Sequence, residues 1–167
     1  RFYPASLSSL NDGSAFIFGE YFDPNANIVK DKSKGFAFWK VDATGKITFE
    51  KYNSWDVDMG KYLNVSSKGK IEDLGFMYLH KMVQVADGSI YAIGEGYRKA
   101  ASALGIASTA LGGGGVSTVK IKVTNMILIK FDKDFNVADA KIYEKNSNNV
   151  QLPSGAEFLS TAALGKF

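Results

Sequence analysis

The sequence has no cysteine, a single histidine, His80, and only three prolines among its 167 residues. The lack of cysteine excludes disulfide bonds, thiolate metal sites and cysteine nucleophiles. A zinc site would then depend on carboxylates and at most one histidine, which is an unusual ligand set. We therefore expect the chain to hold no metal and no cofactor.

Arginine is also scarce, because Arg1 and Arg98 are the only arginines among the 20 lysines and arginines. The lysines are spread singly along the chain and form no basic block, and the formal net charge is +3. Nucleic-acid sites depend strongly on arginine for bidentate contacts. The pattern indicates a solvated surface and argues against a nucleic-acid partner.

No apolar run reaches the roughly 18 residues that a membrane-spanning helix requires, and the chain does not begin with a secretory signal pattern. We therefore expect no transmembrane segment. The chain begins with Arg1, inside a predicted strand, and residues 155–167 resemble the start of another unit. These two features predict a segment of a longer chain.

Aromatic residues and glycine are abundant, with 12 Phe, 8 Tyr, 2 Trp and 17 Gly. Aromatic side chains favour strands, and glycine favours tight turns. Asp-Gly pairs between apolar runs, as at Asp87-Gly88, are strong hairpin signals because glycine adopts the positive φ of such turns. The composition predicts an all-β chain.

The chain contains two copies of one pattern. A shift of 75 positions places Tyr3, Asp12, Gly13, Ser14, Gly19 and Glu20 on Tyr78, Asp87, Gly88, Ser89, Gly94 and Glu95. In the second half of each copy the shift is 90, which places Lys40 on Lys130 and Asp42 on Asp132. Repetition of this kind predicts repeated structural units.

We predict two consecutive four-stranded antiparallel meanders. Unit one covers 1–52, a connector covers 53–74, and unit two covers 75–145 with an insertion at 98–125. The connector is expected to place its aromatic side chains under the sheet. The predicted strands of the second half of unit two are 126–131 and 137–144.

The insertion at 98–125 is the unusual feature of the chain. We predict a short helix of small residues at 100–111, a break at Gly112–Gly115 because four glycines disfavour a helix, and a strand at 116–123. One interpretation is a surface excursion. The other is an element that contacts a partner or a membrane, with contact residues Arg98, Leu104, Ile106, Leu111, Lys120 and Lys122.

Glu20 and Glu95 occupy equivalent positions, each directly after a glycine. A pair of acids is the catalytic apparatus of glycosidases. Equivalent positions in repeated units more commonly share a structural task, such as accepting backbone N–H bonds. We therefore interpret both glutamates, together with Asp12, Gly13, Asp87 and Gly88, as structural positions of the repeat and predict no catalytic residue.

Two further patterns resemble functional motifs. Asp23-x-Asn25-x-Asn27 and Asp132-x-Asp134-x-Asn136 resemble the start of calcium loops but lack the glycine and glutamate that complete them. We interpret the second as a hairpin turn like Asp42-Ala43-Thr44-Gly45. His80 is predicted to be a strand histidine on a sheet surface with no Ser or Asp beside it.

The phrases GSIYAIGEGYRKAASALGIAS, VKIKVTNMILIKFDKDF and FIFGEYFD resemble an uncharacterised family of exported, propeller-like proteins of Bacteroidota-type bacteria. The resemblance implies blades of a β-propeller and a location in the periplasm, the outer membrane or outside the cell. It carries no catalytic residues to this chain.

The function expected is that of a non-enzymatic scaffold or protein-binding module of the cell envelope, with another envelope protein as partner and possible proximity to the membrane. The alternative is a carbohydrate- or peptide-active propeller enzyme or a ligand-binding protein. Two blades do not close a ring of the usual four or more. A compact two-sheet β-sandwich is therefore the alternative fold.

Overall fold

A computed structural model describes residues 1–9, 13–100, 119–145 and 148–152, which form ten strands, one 3₁₀ turn at Met59–Lys61 and no α-helix. The prediction of an all-β chain is confirmed. The strands are β1 (Phe2–Ser9), β2 (Ala15–Tyr21), β3 (Gly35–Val41), β4 (Ile47–Ser54), β5 (Lys70–Ile71), β6 (Gly75–Gln84), β7 (Ile90–Ala100), β8 (Val119–Phe131), β9 (Val137–Tyr143) and β10 (Asn148–Leu152).

The first sheet is a four-stranded antiparallel meander with the order β1-β2-β3-β4. A short turn joins β3 to β4, whereas the longer loop of residues 22–34 joins β2 to β3. Gly13 before β2 and Gly45 before β4 have positive φ, +77° and +87°, as tight turns require. Asp12 lies outside the described residues.

The second sheet has six strands in the order β10-β8-β7-β6-β5, with β9 also paired to β8. The sequence predicted two strands at 116–123 and 126–131, but the structure has one continuous strand, Val119–Phe131. β9 pairs with one half of β8 and β10 with the other half. β7 pairs with both halves, so β8 runs through the sheet as one strand. A register shift after Glu95 lets β7 follow β8 along its length.

The insertion predicted at 98–125 therefore begins and ends as extensions of β7 and β8. The predicted helix at 100–111 falls outside the described residues apart from Ala100, which ends β7. The predicted break at Gly112–Gly115 and the predicted third unit at 155–167 also lie outside them.

The two units share strand register as well as sequence. β1–β2 and β6–β7 have the same pairing, and each contains a bulge, between Pro4 and Ser6 and between Leu79 and Lys81. Gly19 and Gly94 lie opposite these bulges, where a Cβ atom would come within 2.0 Å of the Tyr3 carbonyl oxygen or 2.5 Å of the Tyr78 carbonyl oxygen. Close backbone approach therefore requires glycine at both positions.

We name the two faces of each sheet by equivalent positions of the repeat. The front carries Phe18 in the four-stranded sheet and its equivalent Ile93 in the six-stranded sheet. The back carries the alternating residues, such as Ile17 and Ala92, because successive side chains of a strand point to opposite faces.

The core joins the front of the four-stranded sheet to the back of the six-stranded sheet. Its members on the front of the first sheet are Phe18, Phe36 and Phe38. Those on the second sheet are Ile71, Ile90, Ala92, Ile127, Ile129, Phe131 and Ala140. The ring centroids of Phe38 and Phe131 lie 4.7 Å apart. The two units therefore pack front to back, and equivalent faces do not meet.

The connector closes one side of this core. Trp55, Met59 and Leu63 are buried within it, whereas Tyr62 and Val57 are exposed. The prediction that the connector places its aromatic residues under the sheet therefore holds for Trp55 and is wrong for Tyr62. Gly69 lies against the Trp55 indole, where a Cβ atom would come within 2.8 Å of the ring.

Phe135 ties the second unit to the first. It occupies the position of Gly45 in the repeat and has a positive φ of 61°, which is unfavourable for a bulky residue. Its ring lies 4.9 Å from that of Phe16, and its carbonyl oxygen accepts a 2.9 Å hydrogen bond from the Asn53 side-chain amide, which is 1% exposed. These contacts between the sheets stabilise the strained backbone.

Candidate functional site

A cleft of about 600 Å³ lies at the start of β6 and the end of the β7 pairing. Its floor is a row across three strands, because Lys70 of β5 pairs with Phe76 of β6, which pairs with Tyr97 of β7. The complete lining is Lys32, Lys70, Asp73, Gly75, Phe76, Tyr97, Arg98 and Lys99.

The backbone conformation between β5 and β6 allows the strands of this floor to lie close together. Asp73, in the turn between β5 and β6, and Gly75, the first residue of β6, both have positive φ, 61° and 90°. A Cβ atom on Gly75 would come within 2.2 Å of the Tyr97 carbonyl oxygen. Glycine at this position therefore permits the close approach of β6 to β7 at the base of the cleft.

The charge of the cleft is strongly positive, since four cationic side chains face one carboxylate, Asp73. The four cations are Lys32, Lys70, Arg98 and Lys99, and all are exposed. Within the described part of the chain no ion pair involves any of them. Their charges therefore remain available to an anion that enters from solvent.

Aromatic surface lies between these charges. The rings of Phe76 and Tyr97 are 6.2 Å apart between centroids, and both residues are half-buried. The Lys32 ammonium lies 4.1 Å from the centroid of the Phe76 ring, a cation–π contact. The cleft therefore offers an apolar surface with positive charge around it.

Glu20 lies on the core side of the four-stranded sheet, near the wall of the cleft. The Ser33 hydroxyl donates a 2.7 Å hydrogen bond to Glu20 Oε1 and accepts one of 3.2 Å from the Trp55 indole N–H. Burial raises the pKa of Glu20, although the Ser33 hydrogen bond and the Lys32 charge oppose the shift. Burial and the negative charge of Glu20 raise the pKa of Tyr97.

Glu95, the repeat equivalent of Glu20, has different partners. Its Oε2 atom lies 2.8 Å from His80 Nε2, and its Oε1 atom forms an ion pair with the Lys145 ammonium. Glu95 follows Ile93 on the front of the six-stranded sheet, so it points away from the core that contains Glu20. The two carboxylates therefore do not converge on one site.

His80 lies at the bulge of β6, where unit one has Ala5. Burial and the positive charge of Lys145 lower the pKa of His80. Neutral His80 donates its Nε2–H to Glu95, whose charge Lys145 already neutralises. His80 lies in a strand, as predicted, and its ring contacts Glu95, a partner that the sequence did not indicate.

We expect the free energy of unfolding to fall as the pH drops below 6.5, the ordinary pKa of histidine. The folded-state pKa lies below that of the unfolded chain, so the unfolded state binds the proton more readily in this range. The groups around His80 are Glu95, Lys145 and the ring of Tyr78 at 5.1 Å. His80→Gln keeps a donor to Glu95 and should reduce the loss. Thermal melts at pH 7.5, 6.5 and 5.5 test this, and an equal loss in both proteins would contradict it.

The whole chain, residues 1–167, matches the family described as "Family of unknown function (DUF6770)". The chain belongs to this family. The expectation of an uncharacterised family is thereby confirmed. No curated protein matches the chain at a significant level. Function is therefore argued from the geometry of the site.

The predicted contact residues are only partly brought together. Arg98 lines the cleft, and Lys122 pairs with Arg98 across the β7–β8 ladder. Lys120 lies on β8, where its backbone pairs with Ala100. Leu104, Ile106 and Leu111 lie outside the described residues.

Sequence reasoning missed the other members of the cleft, notably Lys32, Lys70, Phe76 and Tyr97. If β6 and β7 paired regularly from the hairpin at 85–89 onward, Phe76 would lie opposite Arg98. The bulge at His80 moves the pairing by one residue, to Tyr97. Lys32 reaches the cleft from the loop between β2 and β3, and no local pattern indicates that contact.

The aspartate-rich turns are structural, as predicted for 132–136. Asp132 Oδ1 accepts hydrogen bonds from the backbone N–H groups of Asp134 and Asn136, and Asp42 does the same for Thr44 and Lys46. Asp87 accepts from the N–H of Ser89, and Gly88 has a positive φ of 84°. The described residues contain no cluster of three potential metal ligands.

Across the described ranges, none of the helical structure is long and apolar enough to cross a membrane.

Proposed function

We propose that this chain is a non-enzymatic binding module whose cleft takes an acidic segment of a partner protein. The observation that carries the proposal is the set of four exposed cations around two aromatic rings. Opposite charges guide association and determine partner choice more than they add affinity. A carboxylate-rich segment supplies the complementary charge.

The spread of the cations favours an extended anionic segment over a single small anion. Lys70 lies on β5, Arg98 and Lys99 on β7, and Lys32 on a separate loop. Three adjacent strands span roughly 10 Å at the usual strand spacing. Several carboxylates along a peptide match that span, and an apolar side chain between them would contact Phe76 and Tyr97.

Two observations support a role without catalysis. Glu20 and Glu95 are directed to different sides of the six-stranded sheet, so they do not form the pair of facing carboxylates that glycoside hydrolysis uses. Both carboxylates are also engaged, Glu20 with Ser33 and Glu95 with His80 and Lys145.

The repeat supports a further architectural proposal, that the two units are blades of a β-propeller. Front-to-back packing in one orientation is the relation between successive blades, whereas a sandwich with equivalent inner faces would pack front to front. A place in the cell envelope is proposed from the resemblance of the sequence to exported proteins.

Binding is tested with a fluorescein-labelled peptide of alternating Glu and Phe, against a peptide in which every Glu is Gln. We expect saturable binding of the acidic peptide in fluorescence anisotropy, and weaker binding as salt rises. The double variant Lys70→Glu/Arg98→Glu should raise Kd at least about tenfold, because two attractive contacts become repulsive.

The double variant Lys133→Glu/Lys46→Glu is the control that changes the net charge by the same amount, and neither residue lines the cleft. Lys133 lies beside Gly88, at the opposite end of β7 from Arg98. This control should leave Kd nearly unchanged. Equal weakening by the control, or equal binding of the Gln peptide, would show that net charge alone is responsible and would contradict the proposal.

A further inference from the structure

Front-to-back packing leaves one face of each sheet without a sheet over it. The described residues form only two sheets, and their core uses the front of the first and the back of the second. The front of the six-stranded sheet and the back of the four-stranded sheet are therefore open. Each open face is the repeat equivalent of a face that is buried elsewhere in the same chain.

Equivalent positions on the two fronts show the difference in burial. Phe18 and Phe38, on the covered front, are each 0% exposed. Their equivalents Ile93 and Leu128, on the open front, are half-buried although they remain large and apolar. The open front thus keeps the apolar character of a face that the first unit buries.

The open back shows the same relation. Ala92 and Ile129 are 0% exposed on the covered back. Their equivalents Ile17 and Trp39 are half-buried on the open back, and Leu7 beside Ile17 is 69% exposed. Phe2 stacks on Trp39 with ring centroids 4.2 Å apart, which extends the aromatic surface.

We infer that the open front of one chain binds the open back of a second copy. The packing that joins the two units within the chain supplies the geometry, since the same faces meet in the same orientation. The charges of the two faces also differ in sign. The front carries Lys81, Lys130 and Lys141 against one exposed carboxylate, Asp139, whereas the back carries Glu50. Such a head-to-tail contact leaves one front and one back free, so it generates rings or open stacks.

This inference does not depend on a ligand in the cleft. The substitutions that test the contact, at Leu128, Tyr143 and Leu7, change no residue that lines the cleft, so the two proposals fail separately. A chain that self-associates and does not bind the acidic peptide would overturn only the proposed function. The opposite result would overturn only the contact between copies.

Sedimentation velocity over a range of concentrations tests the contact. We expect the weight-average mass to rise above the monomer mass of 18.1 kDa. Leu128→Glu places a charge on the open front and should prevent contact there. Tyr143→Glu is a milder variant, because Tyr143 is 44% exposed on the same face. Leu7→Glu places a charge on the open back and should prevent contact there. Each variant should weaken association at least about tenfold, since buried apolar contacts are lost.

Mixing the two kinds of variant distinguishes this interface from others. The front variant keeps an intact back and the back variant an intact front, so an equimolar mixture should form a discrete dimer. Val57→Glu, at a 64% exposed connector position, is the control that should associate like the unaltered chain. Circular dichroism melts check that each variant is folded.

Three results would overturn the inference. The first is that the unaltered chain stays monomeric at every concentration, as it would if another segment covered the open front and the open back. The second is that only front or only back variants weaken association, which indicates contact between equivalent faces. The third is that the mixture of front and back variants stays monomeric although each variant is folded.

Discussion

Replacing Phe38 with alanine should lower the free energy of unfolding by about 3–5 kcal/mol, the usual cost of truncating a fully buried phenylalanine. Phe38 is 0% exposed and contacts the rings of Phe16, Phe18, Phe131 and Phe135. Truncation removes contacts on both sheets and leaves a cavity between them. Urea denaturation measures the loss as a lower midpoint at unchanged slope.

Leu128→Ala is the matched control, because Leu128 occupies the equivalent strand position in the second unit. It lies on the open front and is half-buried, so its truncation should cost less than about 2 kcal/mol in the monomer. Measurement at low concentration keeps association out of the comparison. Equal costs at the two positions would contradict front-to-back packing, since only that packing makes equivalent residues differ.

Glu95→Ala should destabilise the protein by about 2–4 kcal/mol, somewhat below the usual cost of breaking a fully buried ion pair. Glu95 is 9% exposed, and its removal takes away the carboxylate that contacts both Lys145 and His80. Lys145 is partly exposed and turns toward solvent in part, which limits the loss. Thermal and urea unfolding at pH 7.5 measure it.

Two comparisons separate the ion pair from simple truncation. Glu95→Gln keeps an acceptor for His80 and loses only the charge, so its cost should lie between zero and that of Glu95→Ala. In a Lys145→Ala background, Glu95→Ala should cost less, because the coupling between the two groups is already absent. Additive effects in this double-mutant cycle would contradict an ion pair that stabilises the fold.

Glu20→Ala is the repeat-matched comparison. Glu20 accepts its hydrogen bond from a neutral group, Ser33, and interacts with Lys32 only through its charge, and its removal relieves a carboxylate whose pKa burial raises. Its cost should stay within about 1 kcal/mol, the net value of an ordinary hydrogen bond. A cost equal to that of Glu95→Ala would mean that strand position, and not partner charge, determines the effect.

Local signals in the sequence predicted most of the strands. Asp-Gly turns and apolar runs are short-range features, so the hairpins at 85–89 and 132–136 were predicted from neighbouring residues alone. The joined strand Val119–Phe131 was not, because Thr124 and Asn125 between the two predicted strands do not reveal that β7 continues beside them. Residues 119–131 form one strand because they pair with β7, which is distant in the sequence.

Of the residues that line the candidate cleft, the sequence analysis singled out one, Arg98. Lys32 and Lys70 are ordinary solvated lysines in the sequence, and only the meeting of the β2–β3 loop with β5 and β7 makes them neighbours. His80 and Glu95 are 15 residues apart, and the bulge that joins them shifts the register by one residue. Neither the bulge nor the loop contact has a local sequence pattern.

The sequence by itself determined the all-β class, the two-unit repeat and the hairpin turns, because alternation, aspartate and glycine act over a few residues. Only the tertiary structure decided which face of each unit is buried. Phe38 and Leu128 occupy equivalent positions and have the same local preferences. Phe38 is the more deeply buried of the two because the second sheet covers its face, whereas no described sheet covers the face of Leu128. The different partners of Glu20 and Glu95 follow from that same choice, since one face meets a second sheet and the other remains open.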